Sequence, residues 1–73
     1  MTKSELEIRL RKAKVKLNSE LIDKIILIKT NEDFDLFEKY LSECGLSNDD
    51  EYEYYNAAYY QLYGEESNAY KED

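Results

Sequence analysis

Apolar residues recur along this chain at spacings of three and four, the repeat that lays side chains on one stripe of an α-helix. Leu6, Leu10, Ala13 and Leu17 form the first stripe. Ahead of it, Thr2-Lys3-Ser4-Glu5 is a capping box, with a second in frame at Ser4 and Glu7, so a helix is expected to start near Lys3. Glu5 to Arg9 and Glu7 to Arg11 are charge pairs one turn apart in the favourable order. The same stretch also alternates with period two, through Leu6, Ile8, Leu10 and then Ala13, Val15, Leu17, which would suit a hairpin. Its centre, Arg11-Lys12, offers no residue suited to the positive φ of a tight hairpin turn. The abundance of Glu, Leu, Lys, Arg and Ala favours helix.

Asn18-Ser19 ends that segment and can cap a second, in which Leu21, Ile22, Ile25, Ile26 and Ile28 share a broad apolar face and Leu27 points the other way. The β-branched run over 25–30 would also fit a buried strand. Thr30 or Asn31 then caps a third helix, with Glu32 and Asp33 in its first turn, Phe34, Phe37, Leu41 and Cys44 on one stripe, and Gly45 at its end. Ser47-Asn48-Asp49-Asp50 opens a fourth, which Gly64 closes. Tyr52, Tyr55, Tyr59 and Leu62 are expected to form its core stripe, with Ala58 and Tyr63 beside them.

These elements predict an all-α domain over residues 1–64, a small antiparallel bundle of about four short helices, followed by a mobile acidic tail at 65–73. A small α+β domain with an N-terminal hairpin or strand is the alternative. The sequence shows no internal repeat and no sustained heptad.

Charge divides along the chain. Through Lys29 there are eight basic and four acidic residues; from Thr30 onward there are two basic and thirteen acidic, for a net charge of −7. All eight tyrosines lie in the acidic part. One cysteine, Cys44, excludes an internal disulfide, and the absence of histidine removes the usual zinc ligand sets and Ser-His or Cys-His dyads. No phosphate-cradling glycine motif is present. Cys44, flanked by Glu43 and Gly45, reads as a small core residue. No enzymatic activity, metal or cofactor is expected. The longest apolar run, Ile25 to Ile28, is far short of a membrane span, and no targeting segment is visible, so a soluble cytoplasmic protein is expected.

Two surfaces remain as candidates for recognition. Asp49, Asp50, Glu51 and Glu53, with Tyr54 and Tyr60 outside the expected core stripe, would form an acidic, tyrosine-bearing face for a protein partner with a basic surface. The acidic cluster lacks the ligand order and central glycine of an EF-hand loop, and acids at a helix start are also what the helix dipole favours. Arg9, Arg11, Lys12, Lys14 and Lys16 form the alternative, an anion-binding face for nucleic acid. Direct nucleic-acid binding is the weaker reading, because the chain is acidic overall and these residues have no stacking aromatics among them. Ile8 and Val15, seven residues apart and opposite the first stripe, are expected to make a second contact, either with the C-terminal half of the chain or with another subunit; self-association as a homodimer is favoured, since a domain this short gains from burying a further apolar strip.

In size, acidity and composition the chain resembles small open reading frames of phages and prophages of low-GC bacteria, some of which inhibit host enzymes that bind nucleic acid. The resemblance implies a phage-encoded inhibitor or nucleic-acid mimic. It rests on no motif, and the basic N-terminal third departs from what a pure mimic needs.

Overall fold

The computed structural model describes residues 2–64; the tail expected at 65–73 lies outside the described residues. Four helices follow in order: α1 (Lys3–Lys12), α2 (Ser19–Ile26), α3 (Asn31–Ser42) and α4 (Asn48–Tyr63), with no strand among the described residues. The fold is therefore a small all-α, bundle-like domain, and the α+β alternative is set aside.

Each helix starts where side-chain oxygens meet orphan backbone amides. Thr2 closes a capping box with Glu5, whose carboxylate accepts the Thr2 N–H at 2.8 Å. That bond holds the Glu5 carboxyl below its ordinary pKa. Asn18 accepts the Leu21 N–H, Thr30 forms a second box with Asp33, and Ser47 accepts the Asp50 N–H. Gly64, at φ +72°, is the C-cap of α4 in the left-handed conformation that glycine adopts without a Cβ clash, whereas α3 ends earlier than expected, at Ser42 with Glu43 as its C-cap, and Gly45, at φ +70°, lies two residues beyond that cap.

The end of α1 departs from expectation. The helix stops at Lys12 instead of running to Leu17, and Lys14 takes φ +62°. Val15 N–H donates to the Leu10 carbonyl at 3.0 Å and Lys14 N–H to the Arg11 carbonyl at 2.9 Å, the paired bonds of a Schellman stop. Left-handed backbone costs a non-glycine residue about 1–2 kcal/mol. Turning here carries Val15 into the core beside Leu10, and burying a valine is worth about 1.5–3 kcal/mol, so burial prevails. Ala13 is left exposed and Leu17 half-buried, and the period-two alternation from Ala13 to Leu17 belongs to an irregular connection.

The core comprises Leu6, Leu10, Val15, Leu21, Ile22, Ile25, Ile28, Phe34, Phe37, Leu41, Tyr54, Ala57 and Ala58. The third helix presents the expected stripe. The fourth is rotated from expectation: Tyr54, Asn56, Ala57 and Ala58 are its buried residues, Tyr55, Tyr59 and Leu62 lean on the core half-buried, Tyr52 is half-exposed and Tyr63 exposed. Small Ala57 and Ala58 let α4 approach closely, and it touches all three other helices. Phe34 joins α3 to α4 through edge contacts with Tyr55 and Tyr59, ring centroids 5.4 and 6.2 Å apart.

Candidate functional site

The six residues expected to form an acidic, tyrosine-bearing face are not one surface. Tyr54 is fully buried. Its hydroxyl donates to the Lys16 carbonyl at 2.7 Å and accepts the Asn18 N–H at 2.9 Å, tying α4 to the connection between α1 and α2. Burial raises its phenol pKa, the Asn18 N–H opposes that rise, and the Asp50 charge adds to it. Tyr54 thus cannot contact a partner; its phenol satisfies backbone groups that the irregular connection leaves unpaired.

Tyr60 is 38% exposed and lies under the Arg9 guanidinium, 5.6 Å from ring centroid to cation. Of the acids, Asp49 is exposed, while Asp50, Glu51 and Glu53 are half-buried. Glu53 borders a shallow depression with Glu5, Ile8, Arg9 and Lys12. Asp49, Asp50 and Glu53 border a second with Lys14 and Val15. The basic α1 and the acidic start of α4 are therefore neighbours within one chain, and charges of opposite sign share their seam.

That arrangement also changes the anion-binding candidate. Arg11, Lys12, Lys14 and Lys16 are exposed and Arg9 is half-buried. Because α1 ends at Lys12, Lys14 and Lys16 stand on the following connection and do not extend a helical row.

Ile8 and Val15 do not form a surface pair. Ile8 is 51% exposed, whereas Val15 is 6% exposed and part of the core. The seven-residue spacing placed both on one face only if the helix continued to Val15, and the Schellman turn prevents that.

Two further surface features remain; in the first, the exposure of Leu27 agrees with its expected position off the apolar face of α2, and that of Leu36 was not foreseen. Leu27, 68% exposed, and Leu36, 64% exposed, flank an open groove between α2 and α3, floored by Ile28 and Phe37 and bordered by Lys24, Asp33 and Tyr40. The signal for Leu36 was its position out of phase with Phe34, Phe37 and Leu41, at 100° per residue. On the other flank and outer face of α3, Glu32, Asp35, Glu38 and Glu43 are exposed, with Lys39 as that helix's one basic residue.

Cys44 is half-buried against the core. Among the described residues no group of three or more His, Cys, Asp or Glu is placed to hold a metal ion, and no helix is long and apolar enough to cross a membrane. In comparisons with known proteins, no family model matches the chain, and neither a curated protein nor a solved structure matches it.

Proposed function

We propose that the protein is a non-enzymatic protein-binding module whose acidic surface docks on a basic surface of another protein, competing there with polyanions such as nucleic acid. The observation that carries this reading is the exposed acidic side of α3, Glu32, Asp35, Glu38 and Glu43, with one lysine among them. Exposed carboxylates of one sign steer a cationic partner and fix its orientation, and they need no preformed cavity. The acids of α4 contribute less, because Lys12 and Lys14 of the same chain lie beside them.

The competing reading is nucleic-acid binding through α1. It is disfavoured by the same seam: the Arg9 guanidinium is engaged with Tyr60, and Glu53, Asp49 and Asp50 set negative potential beside Lys12 and Lys14.

Affinity capture from a host lysate with the wild type and with the Asp35→Lys/Glu38→Lys variant tests the proposal. Basic proteins retained by the wild type, eluted by moderate salt or by added duplex DNA, and lost from the variant are the expected result. Equal retention by both proteins would overturn the assignment to α3, and salt-sensitive binding of random duplex DNA by the protein itself would favour the α1 reading.

A further inference from the structure

We draw no further inference here: the strongest candidate, the open groove between α2 and α3 flanked by the exposed Leu27 and Leu36, carries nothing, because charges of both signs border it and nothing in the structure shows what covers it.

Discussion

The Tyr54 hydroxyl is the residue-scale feature on which the most structure depends. It bridges 36 and 38 positions of sequence to the Asn18 N–H and the Lys16 carbonyl, two backbone groups with no partner in a helix. Tyr54→Phe keeps the ring and removes only the oxygen, leaving a donor and an acceptor unpaired. Both are part-buried, so water reaches them in part, and the expected loss is about 1–2 kcal/mol, below the sum for two fully buried groups. The pKa gives a second readout. Burial holds the folded-state pKa above the ordinary phenol value of 10.0, so Tyr54 contributes stability that is complete below that value and is lost as pH rises through the folded pKa. Urea unfolding of both proteins near pH 7 and above pH 10 measures this. The wild type should lose its advantage over Tyr54→Phe in the alkaline range; identical midpoints near neutrality would show that the hydroxyl contributes nothing.

At the scale of elements, the beginnings of helices were legible and the ending of α1 was not. Thr2 with Glu5, Thr30 and Ser47 are recognisable because a cap is a local arrangement, complete within four residues. The stop after Lys12 has the backbone of a glycine stop without the glycine, because what enforces it is the distant burial of Val15. The Ile8–Val15 pair failed for the same reason. Tyrosines and alanines are so dense between Tyr52 and Tyr63 that periodicity cannot single out one stripe, and the long-range bond of Tyr54 fixes the rotation. The acidic face at the start of α4 was legible as composition but not as exposure, since exposure depends on α1 lying alongside. Lys14→Gly tests the account of the stop. Relief of the left-handed strain, less the greater freedom glycine gives the unfolded chain, should raise stability by about 0.5–1 kcal/mol. A loss on substitution would mean instead that the charge of Lys14 beside Asp49 and Asp50 outweighs the strain.

For the whole molecule, the consequence of this topology is electrostatic. The Cα radius of gyration is 11.2 Å, and within that radius α4 packs against both basic α1 and acidic α3. A charge division that looks like two poles in the sequence is thus folded so that the poles touch at the α1–α4 seam, while α3 meets α4 through the aromatic contacts of Phe34, Tyr55 and Tyr59. Charge reversal at that seam and on α3 should act differently on stability. Lys12→Glu with Lys14→Glu replaces attraction across the α1–α4 seam by repulsion. At about 1 kcal/mol in total for exposed charges, this should lower the melting temperature by about 4–8 °C at low ionic strength. Near 1 M salt the Debye length falls to about 3 Å, and most of the loss should be recovered. Asp35→Lys with Glu38→Lys on α3 lowers the magnitude of the chain's net charge of −7 and should leave the melting temperature unchanged or raise it at low salt. A loss in the first variant that persists in high salt would locate its cause in packing or in the backbone of the turn at Lys14. A comparable loss in the second would show that the acids of α3 are held by favourable contacts, and the division of charge would then not govern the stability of the fold.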